Sequence, residues 1–336
     1  MDAAIGNGEN AALNPNRKGR LRDAIMLLLM STLLYQLGFS VLIFISPLMI
    51  YAAQYGKGKA ALLIAAELLV VSALELIIGG FPNLLDIQNL IGFAFSIYFP
   101  LSLSAAGVVW LYAQDKKVVT RLIISVLPSI LIGVLYVVPF AVDRALFNET
   151  YALYEDAFAS LMGPVMEPIV GQFDWSTMFY VVMLTGLSVI LPLILVAVCA
   201  SCFIYETAVH SKESRWEERV KAYSIHSDVI WLLIGSWALV LLNRFISAPA
   251  YVAIILLNVA LFSVVLYATQ GFSVMYAILS RKKPRLKSMH LFLVLAILAI
   301  AIPGLNIIVI FSLPILGILE SFFNLKKIGV KNEDYS

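Results

Sequence analysis

Two carboxylates stand inside an otherwise uncharged apolar stretch: Glu67 and Glu75 both fall within residues 60–80. A bare acid is costly in hydrocarbon, so such residues mark a pathway, a pair or a proton site. Eight positions at 100° each leave the two about 80° apart around a helix and about 12 Å apart along it, sharing a broad face without touching. Two readings follow. In one, a ligand or proton site centres on Glu67, the acid farther from either end of the stretch. In the other, both are protonated acids that hydrogen-bond a neighbouring helix and serve packing.

A second polar set, Asn243, Arg244, Asn258 and Gln270, belongs to two later apolar runs. Arg244 is placed to snorkel from a helix end or to act as a counter-ion, and Gln270, beside Gly271, to join helices or to contact a ligand. Ala61 and Ala65 form a small-x-x-x-small pattern that admits a close partner helix. Cys199, Cys202, Glu206 and His210 recur on one helical face and suit zinc by type. They spread over roughly 16 Å of a straight helix, however, so no metal is expected, with Cys202, Glu206 and His210 as the weak candidates.

Enzyme signatures are missing: there is no His-Glu-x-x-His, no Gly-x-Ser-x-Gly, no phosphate-cradling Gly-x-x-x-x-Gly-Lys and no dinucleotide fingerprint. No enzyme activity and no cofactor are expected, and nucleotide energy, if used, must come from a partner.

The elements that position these residues follow from composition. Of 336 residues, 61% are hydrophobic and 13% charged, with mean hydropathy +0.93. That balance excludes a soluble enzyme, and the net charge of +2 gives no sign of a nucleic-acid partner. Membrane helices need about 20 apolar residues. Eight runs qualify, near residues 24–54, 60–80, 90–112, 119–142, 176–206, 228–246, 250–280 and 289–325. The first, interrupted by Gly38 and Pro47, and the last, interrupted by Pro303-Gly304 and Pro314, are too long for one crossing.

Basic residues sort the loops. Arg17 to Arg22, Lys57 and Lys59, Lys116 to Arg121, Lys212 to Lys221, Arg281 to Lys287, and Lys326 to Lys331 mark one side; 81–89 holds only Asp86, and 143–175 is acidic. By the positive-inside rule the basic loops are cytoplasmic. The parity closes if both terminal runs cross twice or re-enter, which predicts an all-α polytopic transmembrane bundle of about 8–10 membrane helices, with broken hairpins at both ends and both termini cytoplasmic. Residues 1–23 form a basic N-terminal segment expected to be disordered and to stay in the mature chain, 24–325 the membrane domain, and 326–336 a cytoplasmic tail. Within the domain, 143–175 reads as an extracytoplasmic amphipathic helix stopped by Gly163-Pro164, either interfacial or a lid. Residues 207–227 read as a solvated cytoplasmic extension, or as a partner surface.

Gln270-Gly271-Phe272-Ser273-Val274-Met275-Tyr276, the basic loop Arg281 to Lys287 and the ending Leu316-Gly317-Ile318-Leu319-Glu320 resemble the YybS-like family of bacterial integral membrane proteins. Ser46-Pro47-Leu48-Met49-Ile50-Tyr51, with Tyr55-Gly56, fits the same family's opening hairpin, while Glu320 stands where relatives tend to carry aspartate. The resemblance implies a bacterial cytoplasmic-membrane protein. Its helical layout would be similar to that of the substrate-binding subunits of energy-coupling-factor vitamin transporters.

The leading expectation is a solute-binding or transport-related component, with a cavity bordered by Glu67, Glu75 and Gln270, lipid around it, an unknown small-molecule solute, and a transporter ATPase or other membrane protein as partner. The alternative is a membrane scaffold or regulatory subunit that binds a protein through its cytoplasmic loops.

Overall fold

Backbone amides in hydrocarbon must be bonded within their own segment, so long apolar runs become helices. The computed structural model describes residues 17–78, 87–170, 174–211, 213–246, 249–301 and 304–327, and among them it contains twelve α-helices and no strand. Readings that fall on the first 16 residues, Asp86, Pro303 and residues 328–336 lie outside the described residues.

The first apolar run breaks at Gly38 and Pro47. Helix α1 (Arg17–Gln36) gives way at Gly38, which adopts φ +54°, to a 3-10 turn over Gly38–Ile43; Pro47 then opens α2 (Ser46–Tyr55). A proline in a first turn forfeits no intrahelical bond. Helix α1 begins at Arg17, so residues 17–23 are helical instead of disordered: four of the first six residues are Arg or Lys, which are good helix formers.

The carbonyls freed by the break are taken by serines. Ser31 donates to Phe44 O at 2.7 Å, Ser46 to Ile43 O at 2.7 Å and Ser201 to Leu42 O at 3.1 Å. This broken segment lies at the centre of the protein. Phe44, Leu48 and Met49 are wholly buried, packed with Leu103, Ala106, Ile194 and Leu195.

The chain continues through α3 (Lys57–Ile78), α4 (Ile87–Tyr112), α5 (Val118–Val142), α6 (Arg144–Val170), α7 (Trp175–His210), α8 (Ser214–Ala222), α9 (Val229–Ile246), α10 (Ala250–Lys282), α11 (Ser288–Ala301) and α12 (Leu305–Phe323). Seven of these, α3, α4, α5, α7, α9, α10 and α12, are long and apolar enough to cross a membrane. With α1 and the shorter α2 and α11 they make ten, and large apolar side chains such as Leu62, Leu69, Leu135 and Phe245 cover the outside, as lipid contact requires. The fold is an all-α multi-pass helical bundle.

Three local expectations are corrected. Gly163-Pro164 does not stop α6, which runs on to Val170, and Pro314 lies inside α12. A proline removes one ladder bond, a loss that packing on neighbours and a slight bend absorb. Here α6 is held by aromatic contacts. Tyr154 meets Phe95 at 6.1 Å, Phe147 meets Phe140 at 6.5 Å, and Tyr151 and Phe158 meet Phe179 at 5.1 and 5.7 Å. Thus α6 lies against α4, α5 and α7 at the end remote from the basic loops. The third correction concerns 207–227, which is docked more than solvated: Trp216 and Val220 of α8 are buried with Tyr276 and Leu291, Ser273 donates to Val220 O at 2.7 Å, and Glu217 receives the Ser288 amide at 3.2 Å.

The closest helix approach joins α10 to α12. A Cβ on Gly271 would lie 1.8 Å from Leu313 O, and one on Gly317 would lie 1.9 Å from Tyr267 O, so only glycine fits either position.

Candidate functional site

Glu67 has no exposed surface. It projects from α3 toward α1, where the Thr32 hydroxyl lies 3.1 and 3.3 Å from its two carboxylate oxygens and the Ser31 hydroxyl is also within hydrogen-bonding reach. Helix α1 brings those hydroxyls to it because the chain turns back at Gly38, and Ser31 is at the same time the cap for Phe44 O in the break. Two turns along α3, Glu75 accepts from the Tyr35 hydroxyl at 2.6 Å. The two acids thus face one helix, α1, through separate partners.

Gln270 is elsewhere. Its Oε1 accepts the Ile225 amide at 2.7 Å, and its Nε2 donates to Gly317 O at 2.8 Å and to Ser321 Oγ at 3.2 Å, which ties α10 to α12 and to the segment before α9. The expected cavity bordered by Glu67, Glu75 and Gln270 is therefore not assembled: the acids bond to α1 and the amide to α12. Opposite termini of the chain supply the two partners, and sequence spacing carries no measure of that separation.

Asn258 repairs a kink. Pro192 interrupts α7, and the Asn258 amide of α10 sits in the opened ladder, with Oδ1 accepting from Leu191 N at 3.2 Å and Nδ2 donating to Leu187 O at 2.7 Å and to Ile254 O at 2.9 Å. A residue and the one four before it, normally bonded to each other, are bridged by a side chain instead. Arg244 is exposed in the last turn of α9 and makes no ion pair among the described residues, while Asn243 Oδ1 beside it is buried without a donor. Ala61 and Ala65 lie half-buried and exposed, beside the exposed Leu62 and Leu69.

A cluster that sequence reasoning missed occupies the end of the bundle that carries the basic loops. Arg121, counted there only as a loop charge, is 7% exposed. Its Nη1 lies 2.8 Å from Glu206 Oε1, its Nε donates to Trp110 O at 2.9 Å, and its guanidinium stacks 3.7 Å from the Trp110 ring centre. Trp110 Nε1 donates to the same Glu206 oxygen at 3.2 Å, and His210 Nε2 lies 3.4 Å from the other. Cation–π contact lets the guanidinium tolerate a low-dielectric site, which matters because Nη2 has no hydrogen-bond partner among the described residues. The only sequence signal was position: Arg121 lies within α5, in its first turn, whereas Lys116 and Lys117 precede the helix.

This pairing also accounts for the cysteine–acid–histidine face of α7. Glu206 is engaged by Arg121, and His210 lies 2.6 Å from Glu213, whose carboxyl that contact holds below the ordinary glutamate range. Cys199 and Cys202 are free thiols. Among the described residues no group of three His, Cys, Asp or Glu is placed to hold a metal ion.

No protein-family model, curated protein or solved structure matches the chain.

Proposed function

We propose that this multi-pass membrane protein is a solute-binding or transport-related component whose working site lies between α1 and α3 at Glu67. The observation that carries the reading is a fully buried carboxylate next to a broken membrane helix. Intramembrane acids and interrupted helices are each costly in hydrocarbon and recur together where ions or solutes are bound. Lysine and arginine in alternate loops support a bacterial cytoplasmic membrane with both chain ends inside, and the motif resemblance supports a place beside the YybS-like proteins and a layout like energy-coupling-factor substrate-binding subunits. The chain is read as having no enzyme activity of its own.

A second reading, the scaffold, is favoured by one observation: Asn258 and Gln270 have their hydrogen bonds filled from within the bundle, and α8 is firmly docked with Arg215, Glu218 and Arg219 left exposed on its outer side. Native mass spectrometry of the protein extracted gently from its own membrane separates the two. A stoichiometric small molecule that is retained by the wild type and lost from Glu67→Gln supports the first reading. A ligand-free chain bound to a non-transport protein, with binding unaffected by Glu67→Gln and lost on reversing the α8 charges, replaces it with the second.

A further inference from the structure

The turn that joins α10 to α11 gathers Arg281, Lys282, Lys283, Arg285 and Lys287, all of them exposed. Like charges this close repel one another. Elsewhere on the basic loops carboxylates relieve such charge: Arg121 pairs with Glu206, Arg219 with Glu213 and Lys116 with Asp115. Lys283, Arg285 and Lys287 have no ion pair among the described residues.

The backbone of the turn is nevertheless fixed. The Lys283 amide closes α10 on Leu279 O, the Leu286 amide donates back to Lys283 O at 2.9 Å, and the Tyr276 hydroxyl donates to Leu286 O at 3.2 Å. The Leu286 side chain packs on the cluster of Trp216, Val220, Tyr276 and Leu291. On this frame Lys283, Arg285 and His290 line one cavity of about 570 Å³, together with Pro284 and Leu286. Its size is that of a small-ligand site. The start of α11 is already capped, because Glu217 accepts the Ser288 amide at 3.2 Å. What the turn leaves unmatched is the positive charge of its side chains.

His290 is exposed in the first turn of α11, and Leu293, Val294 and Ile297 follow it at i+3, i+4 and i+7, which places all four on one face. The three apolar side chains are 45%, 52% and 59% exposed, and no charged residue follows His290 in α11. A cationic cavity therefore heads an outward apolar stripe about 10 Å long. A free phosphate would use only the cavity; a phospholipid would use both.

We propose that the α10–α11 turn is a specific site for one anionic glycerophospholipid, with its phosphate in the cavity and an acyl chain along Leu293, Val294 and Ile297. Lys283 supplies a point charge and Arg285 a planar pair of donors suited to phosphate oxygens. The His290 ring donates at least one hydrogen in any protonation state. Basic pockets at membrane helix ends hold anionic headgroups in this way. The lipid would neutralise the turn and fix α11, a short helix that packs against α12. The site is distinct from Glu67 and holds under either reading of the function.

The test uses full-length protein in a non-ionic detergent, stripped of lipid and titrated with dioleoyl phosphatidylglycerol, dioleoyl phosphatidylcholine or glycerol 3-phosphate. Native mass spectrometry counts bound lipid, and thermal unfolding follows its effect. Phosphatidylglycerol should give one retained lipid and raise the melting temperature by a few degrees, with no comparable effect from the other two. Lys283→Ala combined with Arg285→Ala should weaken binding about thirtyfold, and His290→Ala about threefold. These side chains are exposed, so the variants should melt as the wild type does without lipid. Lys57→Ala combined with Lys59→Ala, which removes the same charge from another basic loop, should leave binding within about twofold. Equal binding of phosphatidylglycerol and phosphatidylcholine by the wild type overturns the proposal without recourse to any variant. Equal losses in the two double variants also overturn it, because binding would then follow diffuse charge. Glycerol 3-phosphate matching phosphatidylglycerol would make the cavity a soluble-phosphate site and overturn the lipid assignment.

Discussion

Glu67 and Gln270 have side chains of nearly the same shape, both buried in apolar helices, yet the two ends of the bundle treat them in opposite ways. At the last hairpin, Gln270 offers donors and an acceptor, and each meets its complement: Gly317 O, Ser321 Oγ and the Ile225 amide. At the first hairpin, Glu67 accepts from Thr32 at 3.1 and 3.3 Å, a hydroxyl whose one hydrogen is also within reach of Leu28 O, while the neighbouring Ser31 donates to Phe44 O. One site has its donors and acceptors matched, and the other leaves a buried carboxylate with fewer donors than acceptors. Burial of a polar group in a membrane therefore says little about function until its donors and acceptors are counted.

Backbone packing gives the largest expected contrast. In the last hairpin a Cβ on Gly271 would lie 1.8 Å from a main-chain oxygen, so Gly271→Ala must displace α12 as a whole. A loss of roughly 3 kcal/mol is expected, at the upper end of overpacking effects, and Gly317→Ala should match it. Against the first hairpin the corresponding close contact is Gly107 of α4, where a Cβ would meet the tip of the Ile45 side chain at 2.8 Å. That tip can turn aside, so Gly107→Ala should cost about 1 kcal/mol. Thermal unfolding in one detergent ranks the variants, and equal losses at Gly107 and Gly271 would break the distinction between a backbone seam and a side-chain seam.

Gln270→Glu comes next. The exchange keeps the shape and removes the two amide hydrogens that face Gly317 O and Ser321 Oγ, turning the closed site into an oxygen-rich one. About 2 kcal/mol should be lost, the cost of leaving a buried acceptor unmatched after proton uptake restores one donor. The α10–α12 seam should also open, read as faster proteolysis within α12. Unchanged melting and proteolysis would mean that the amide hydrogens do not hold the seam.

Much of this architecture was readable in advance because it follows from one-dimensional signals. Gly38 and Pro47 announced the break between α1 and α2, and run lengths announced a polytopic bundle, seven of whose described helices are long and apolar enough to cross a membrane. Signals that depend on a second helix were not readable. Pro314 and Pro164 resembled the break-forming prolines in composition, but their helices continue, because whether a proline ends a helix depends on what packs around it. Asn258 and Pro192 are far apart in sequence, and nothing in either run shows that the amide of one fills the ladder gap of the other. Arg121 is the clearest case. Its charge placed it correctly near a loop, while its burial against Trp110 and Glu206 arises from three helices meeting, a contact for which a single sequence holds no record. The Glu67 site was half legible: the acid stood out in its run, but Ser31 and Thr32 look like ordinary small polar residues until the turn at Gly38 brings α1 alongside α3.

The smallest expected effect on stability is also the sharpest for the comparison. Glu67→Gln replaces the acid by an amide of the same shape, whose oxygen still accepts from Thr32 and whose nitrogen carries hydrogens where the neutral acid carries one. If Glu67 is held as the neutral acid, the amide takes over the role of its proton, and stability should change by less than about 1 kcal/mol. If instead Glu67 were an ionised partner of a protein cation, removing its charge would strand that cation and cost about 3–5 kcal/mol. The ion pair between Arg121 and Glu206 supplies the internal reference for that second outcome, since Glu206→Gln leaves a buried guanidinium without its carboxylate. Melting curves of the two variants side by side should therefore differ, with Glu206→Gln strongly destabilised and Glu67→Gln close to wild type. Equal destabilisation would sink the neutral-acid assignment and with it the contrast between a hairpin whose buried acid is short of donors and one whose buried amide is fully matched.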